Sequence, residues 1–435
     1  MPIQKISPHS ILNLGINPLL SDEYMLAFYK KFCEAIKSRI WRLKRGKNSK
    51  YDDMDFLRVF FYSEVIGRSI HNTSELLNEH LLSKKKGRRK IFADGRRKRI
   101  IPHQTEVNKY LRRIGLEKVR EILRECLDFQ LKMAVELKII SKRINVLIDF
   151  TEHPYYGKRD DNMIKGTKRQ KGTKKMRHYL GFSILSNHTH LYAGIEHVAK
   201  GQSKIPIILN FLENLLNLGY RLNYVLMDRE FYRAELFEEI KKMGGNVMIP
   251  AKAYKKVKSF IESYVQGKNG RVRRYTISSA PASKFQFSQI VYLIIKAKRN
   301  FTLQGVKRDF QKGRISLEDA RKRLFALMTT EKPRRNSNSW ASRTSIFYRR
   351  RWLIETGFSD LNRINRQWKS NHDNVRFFDI LARLLLYNSW KINRKLIEMN
   401  GKKEGKRKEW TLVQNQDYLK ELLLLSEKKS LGVMG

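Results

Sequence analysis

Through the first 140 or so residues, apolar positions recur at helical spacing. Met25, Leu26, Phe28, Phe32, Ala35 and Ile36 form one such set, and Phe56, Leu57, Val59, Phe60, Phe61 and Val65 another. Two short amphipathic helices are predicted over 74–82 and 105–114, the second opening on Thr105 and Asn108, and a longer one over 116–137 bridges to the next domain. From about residue 143 the period shortens. Asn145, Val146, Leu147, Ile148 and Asp149 read as a short strand ending in an acid, and 178–185 and 191–198 as a second and third strand around a turn at Ser186, Asn187 and His188. A helix over 205–218, a strand over 223–228 ending in Asp228, a helix over 234–243 stopped by Gly244 and Gly245, and a fifth strand over 246–250 follow. Three strands in a meander followed by alternation predict an α/β fold, a mixed five-stranded sheet flanked by helices.

Residues 252–341 break this rhythm. They hold β-rich stretches at 274–277, 285–296 and 324–330 and a basic helix near 316–323, and read as an insertion outside the sheet. Helical periodicity returns over 345–397, with Leu381, Leu384, Leu385 and Leu386 as apolar bulk; a charged linker at 401–408 precedes a last leucine-rich helix at 417–427. The expected division is therefore 1–140, 141–251, an insertion at 252–341, a return to the core at 342–400, and a tail at 401–435.

Charge changes the picture. The 435 residues carry 90 Lys and Arg against 42 Asp and Glu, a formal net charge of +48. A solubilising surface mixes signs, and one-sided charge repels itself, so the excess points to a polyanionic partner whose counterions are released on binding. Double-stranded DNA is the expected partner and 1–140 the expected DNA-binding domain. Ten Lys or Arg fall in 84–100 and nine in 158–177, among them Lys168, Arg169 and Lys171 in what reads as a flexible loop able to track a DNA backbone. The 105–114 helix carries Lys109, Arg112 and Arg113; it is either the reading helix of a helix-turn-helix or a basic helix of an ordinary bundle. Two cysteines, Cys33 and Cys126, in apolar helical patterns are expected to be buried reduced thiols. With no signal-peptide pattern and no run of 18 apolar residues, the expected setting is cytoplasmic and nucleoid-associated, with no membrane.

Asp149 and Asp228 each close an apolar strand, where open sheets assemble their sites. A single such acid commonly starts a loop or caps a helix; two in one sheet of so basic a chain suggest more. Glu355 follows on a helix that places Tyr348, Arg351 and Glu355 on one face, where a plain surface ion pair is the alternative. Two carboxylates about 4 Å apart repel by roughly 4 kcal/mol at an effective dielectric of 20. Such a cluster takes up protons or a hard, oxygen-seeking cation such as Mg²⁺ or Mn²⁺.

The segments Ile148-Asp-Phe-Thr-Glu-His-Pro-Tyr-Tyr-Gly157, Val225-Leu-Met-Asp-Arg-Glu-Phe-Tyr232 and Tyr348-Arg-Arg-Arg-Trp-Leu-Ile-Glu355 together resemble the DDE-type insertion-sequence transposases of the insertion-sequence four type, marked by a Tyr-x2-Arg-x3-Glu-x6-Lys signature. The likeness spans residues 145–395, with 79 residues from the first acid to the second and 127 from the second to the third. It implies an RNase H-like catalytic fold with a β-rich insertion, Asp149, Asp228 and Glu355 as ligands of Mg²⁺ or Mn²⁺, cleavage of element ends and strand transfer, and a homodimer joining two ends. Asn362 stands where the signature has Lys; helical geometry returns Arg366, and to one side Arg363, toward the Glu355 face as substitutes for gripping a phosphate. A metal-dependent nuclease without strand transfer, and a non-catalytic DNA-binding descendant, are the alternatives.

Several aromatic and imidazole side chains carry two readings. Tyr155 and Tyr156 either stack on bases or pack; Trp340 either supports an unstacked base or packs a domain junction; His153 either meets substrate or does not. His188 and His190 have strand spacing but no companion cysteines, so a turn is expected rather than zinc.

Overall fold

The computed structural model describes residues 69–84, 101–158, 162–170, 172–186, 188–278, 287–333, 337–364 and 372–401, with single positions at 51, 55–56, 59–60, 63 and 370. The helix expected at 25–36, the basic run beyond Lys84, the linker after Gly401 and the leucine-rich helix at 417–427 lie outside the described residues.

The first elements with described bounds are the helices α1 (Ile70–Lys84), α2 (Gln104–Arg113) and α3 (Leu116–Glu136). Then come β1 (Arg143–Pro154), β2 (Lys165–Gln170), β3 (Thr173–Ser186), β4 (Thr189–His197), α4 (Lys204–Asn217), β5 (Arg221–Leu226), a 3-10 turn (Arg229–Phe231), α5 (Ala234–Lys242) and β6 (Asn246–Pro250). The segment read as an insertion supplies α6 (Lys255–Val265), β7 (Val272–Ser278), β8 (Ser288–Ala297), α7 (Leu303–Gln311), α8 (Leu317–Arg323) and β9 (Leu324–Thr329). The last described elements are α9 (Ser337–Tyr348), a 3-10 turn (Arg349–Arg351), α10 (Trp352–Ile364) and α11 (Asp373–Gly401).

The five expected strands are present as β1, β3, β4, β5 and β6. β1 runs antiparallel to β3 and parallel to β5, β5 parallel to β6, and β4 pairs with β3. Two expectations fail. Among the described residues the sheet has nine strands, not five: β9 pairs antiparallel with β6 (Met248 opposite Thr329), and β8 and β7 continue outward. The segment 252–341 is thus hydrogen-bonded into the sheet rather than standing outside it, because β6 has an open edge and β9 is an apolar strand able to cover it. The flexible basic loop after β1 is instead a hairpin, with Lys165 opposite Met176, Gln170 opposite Thr173 and Gly172 at φ 83° in the turn.

Register sorts the two faces. Residues directly opposite in an antiparallel pair share a face, so Asp149 and Gly181 point one way and Phe150 and Leu180 the other. On the second face Phe182 stacks on Phe211 of α4, ring centroids 3.9 Å apart. On the first face α10 and α11 lie against β3 and β4. Asn388 of α11 gives and takes a hydrogen bond with the Tyr192 backbone, both 2.8 Å, where a bulge breaks the β3–β4 register. The helix expected as a bridge, α3, belongs to this layer: buried Gln130 donates to the Leu385 carbonyl (3.0 Å) and to Ser389 Oγ (3.2 Å) on α11. Phe56, Val59 and Phe60 are buried, Phe56 stacked on Tyr110 at 4.4 Å. His103, rather than Thr105, caps α2, in a capping box with Glu106. Cys126 is buried. Among the described residues no helix is long and apolar enough to cross a membrane.

Candidate active site

Asp149 does not end its strand. β1 runs on to Pro154 because β3 pairs with it throughout, while pairing to β5 stops at Leu147 opposite Leu226. Beyond that point the two parallel strands part, and Asp149 and Asp228 stand on either side of the gap. Asp228 caps the 3-10 turn, one carboxylate oxygen accepting from the Arg229 N–H at 2.7 Å. The helix-cap reading of this acid is therefore true of one oxygen.

Glu355 arrives on the first turn of α10, and two glycines let that helix come close. A Cβ on Gly181 would overlap the Phe358 ring, 3.0 Å from Cε1 and nearer still to Cζ. A Cβ on Gly357 would lie 2.7 Å from Tyr192 Oη and 2.9 Å from His190 Cε1. Tyr348, just upstream, donates from its hydroxyl to the Met227 carbonyl at 3.1 Å, tying this segment to the residue before Asp228.

Arg351 binds the two sides together. It donates to Asp149 Oδ2 at 2.8 Å and, through its other terminal nitrogen, to Glu355 Oε1. Arg351 and Asp149 are each only 16 % exposed, whereas Glu355 is 39 % exposed. Burial pushes the Asp149 carboxyl up to about 6; Arg351 and the Phe150 N–H oppose this, and the charges of Glu355 and Asp228 add to it. Burial alone would lower the Arg351 pKa, but Tyr348, Asp149 and Glu355 raise it. Burial likewise pushes the Tyr348 hydroxyl up. Three acids separated along the chain therefore act on one another here.

As they stand, Asp149 and Glu355 flank the guanidinium. Among the described residues one set of three His, Cys, Asp or Glu ligand atoms lies within 4.8 Å of one another, and it is His71, Glu75 and His103. The acidic site nonetheless suits a hard divalent cation. Its donors are carboxylate oxygens, their mutual charge raises the pKa of Asp149, and a monovalent cation, the Arg351 guanidinium, now sits between two of them.

Other expected residues sort out as follows. Lys109 and Arg112 lie on α2 and are exposed. Lys168 and Arg169 belong to β2, and Lys171 lies outside the described residues. Arg363 falls within α10, while its side chain, that of Asn362, and Arg366 are outside the described set. Tyr155 packs: it is buried with the Arg177 guanidinium 4.6 Å over its ring. Arg177 is itself buried and paired with Asp373, so it is withdrawn from the basic hairpin's surface. Trp340 also packs, buried and donating to Glu331 Oε2 at 3.0 Å. His153 lies edge-on to Tyr179. His188 occupies the turn at φ 62°, and buried His190 bonds the Tyr387 hydroxyl at 3.0 Å, its pKa driven down to about 3 by burial.

Sequence reasoning overlooked Trp352, which is 64 % exposed between Arg351 and Glu355. It also overlooked Lys204, whose ammonium lies 4.3 Å over the Phe150 ring, with Phe150 stacked on Phe231 at 5.1 Å behind the acids. A tryptophan directly after three arginines was the available signal for the first; the second depends on the start of α4 bringing Lys204 over Phe150.

Residues 141–389, more than half the chain, match the family model described as the transposase DDE domain. The chain belongs to that family, whose members act as nucleases and transesterases on DNA. Among solved structures the fold resembles the piggyBac transposase synaptic complex with hairpin DNA, at 11 % identity and a TM-score of 0.50, over 95 % of this chain and 83 % of that one. The Drosophila P element transposase strand transfer complex also aligns, at 10 % identity and a TM-score of 0.25, over 95 % of this chain and 88 % of that one. No curated protein matches the chain.

Proposed function

We propose that this transposase cleaves the ends of an insertion sequence and joins the freed 3′-hydroxyl to target DNA, with Asp149, Asp228 and Glu355 as its catalytic carboxylates. The observation that carries the reading is the Arg351 bridge, donating to both Asp149 and Glu355 beside the Asp228 turn. Sheet register, the Tyr348 tie and two glycine contacts all converge on that point.

Held by the three carboxylates, Mg²⁺ or Mn²⁺ would supply a nucleophilic water and charge neutralisation for in-line displacement at phosphorus. The chain's own residues do the rest. Arg351, released from the acids, turns its planar fork toward a DNA phosphate, the ligand it matches after a carboxylate. Tyr348 fixes the approach of α10 to β5 and so the distance from Glu355 to Asp228. Trp352 offers an exposed ring at the DNA end, where an unstacked base needs a new partner. Lys109 and Arg112 of α2, Lys168, Arg169 and Lys171 of the hairpin, and Arg363 and Arg366 after Glu355 neutralise backbone phosphates, with Arg363 and Arg366 serving where Asn362 replaces the signature Lys. Concerted joining of two ends calls for a homodimer on DNA, and a cytoplasmic, nucleoid-associated setting follows from the substrate.

The test is incubation of purified protein with its own flanking DNA ends and Mg²⁺, scoring nicks and strand-transfer products. Asp149→Asn, Asp228→Asn and Glu355→Gln are each expected to abolish cleavage while end binding persists. Cleavage retained in any one of them removes that residue from the site; nicking without joined products leaves a nuclease.

A further inference from the structure

The geometry points to a second metal site, distinct in chemistry from the acidic one: a zinc-type site formed by His71, Glu75 and His103 that clamps α1 to the start of α2. His71 and Glu75 are four residues apart on α1, so both side chains leave the same face one turn apart. His103 is the cap of α2 and reaches the same place from the other side. One ligand atom from each lies within 4.8 Å of the other two, and the imidazole rings meet edge to face with centroids 5.7 Å apart.

The backbone beneath this cluster is fixed by buried polar contacts. Ser74, beside Glu75, donates from Oγ to the Pro102 carbonyl at 2.6 Å. Asn78, one turn on, donates to the Ile101 carbonyl at 3.2 Å and accepts from the Ile101 N–H at 2.9 Å. The strap carrying His103 is thus already fastened to the helix carrying His71 and Glu75. His103 is held as well: its ring Nδ1 lies 3.0 Å from Thr105 Oγ1, and its backbone N–H donates to the Glu106 carboxylate at 3.0 Å. In the cap Nδ1 accepts from the Thr105 N–H at 3.4 Å, so binding an ion through Nε2 requires the other tautomer, with Nδ1–H turned to donate to Thr105 Oγ1, the kind of outer hydrogen bond that fixes a metal-bound histidine.

Two imidazoles and one carboxylate suit a borderline cation, Zn²⁺ or Co²⁺, over the hard Mg²⁺ expected among carboxylates alone. Bonds of about 2.0–2.1 Å to a tetrahedral ion place ligand atoms roughly 3.4 Å apart, so the three donors must close by on the order of 1 Å. His71 is exposed, while Glu75 and His103 are half-buried. The fourth position would hold water. Bound there, an ion closes the 75–103 span and anchors both ends of the most basic stretch of the chain without taking part in it.

The test uses the full-length chain without an affinity tag, stripped of metal and titrated with Co²⁺, then Zn²⁺. One equivalent of Co²⁺ should give the visible absorption of a four-coordinate ion, and Zn²⁺ should displace it and raise the melting temperature. His71→Ala, at an exposed position that leaves the fold intact, should weaken Co²⁺ binding at least tenfold, and Glu75→Gln should weaken it too. Asp149→Asn combined with Asp228→Asn should leave the signal unchanged. The proposal is overturned if the wild-type chain gives no such absorption, if His71→Ala binds as tightly, or if the signal disappears with the Asp149 and Asp228 substitutions.

Discussion

Gly357→Ala examines the docking of α10 directly. The new methyl would lie 2.7 Å from Tyr192 Oη and 2.9 Å from His190 Cε1, against 3.4 Å for ordinary contact, so about 0.7 Å must be found. Tyr192 and His190 are buried on β4, and His190 is held by Tyr387, so the helix yields rather than the sheet. Overpacking costs about 1–3 kcal/mol. Replacing a helical glycine by alanine returns about 1 kcal/mol, leaving a net loss of roughly 0–2 kcal/mol. Position matters more than stability here: Glu355 is two residues away, and misplacing a reacting group by about 1 Å costs on the order of 100-fold in rate. Mg²⁺-dependent end cleavage should therefore fall by about 10- to 100-fold while the melting temperature moves little. Tyr192→Phe removes the nearest atom, so the double variant should recover part of the lost rate, a coupling that a double-mutant cycle reads directly. A Gly357→Ala enzyme cutting at the wild-type rate, or a Tyr192→Phe partner that restores nothing, would refute the close-docking argument.

Further outcomes follow from the same geometry. Because the Asp149 carboxyl is raised from 3.8 to about 6, the folded chain holds a proton there between pH 4 and 6 that the unfolded chain releases. The free energy of unfolding should thus fall as pH rises through that window, and metal-free Asp149→Asn should be more stable than wild type at pH 8, by chemical denaturation, with a flatter pH profile. Arg351→Ala removes the cation now shared by Asp149 and Glu355, so Mn²⁺ measured by electron paramagnetic resonance without DNA should bind more tightly while cleavage is lost; weaker binding would contradict a competing guanidinium. Trp352→Ala, at a ring 64 % exposed, should reduce cleavage with no change in melting temperature. Lys109→Ala with Arg112→Ala should lower the salt slope of end binding by about 2, one phosphate contact for each charge removed.

Much of the core could be read from periodicity alone. The apolar runs at 146–148, 224–226 and 247–249 mark β1, β5 and β6, and β3 and β4 flank a turn whose His188 adopts a positive φ. What escaped depends on partners distant in sequence. Asp149 lies inside β1 rather than at its end because β3 keeps pairing to Pro154, which no local pattern around Asp149 records. The basic hairpin was taken for a loop because charge dominated composition there, whereas pairing of Lys165 and Gly166 with Met176 and Lys175 sets its form. The acids themselves were legible as residues; their link through Arg351 was visible only as an i to i+4 pair with Glu355, and its second arm to Asp149 spans 202 residues.

The outward continuation of the sheet has a consequence for synthesis. β6 gains its outer neighbour only when residues 324–329 exist, and Glu355 follows later still. A chain released before residue 324 is made leaves β6 with an uncovered edge and lacks Glu355. Sharing backbone hydrogen bonds between β6 and the intervening segment makes completion of the core sheet wait for that segment to be translated.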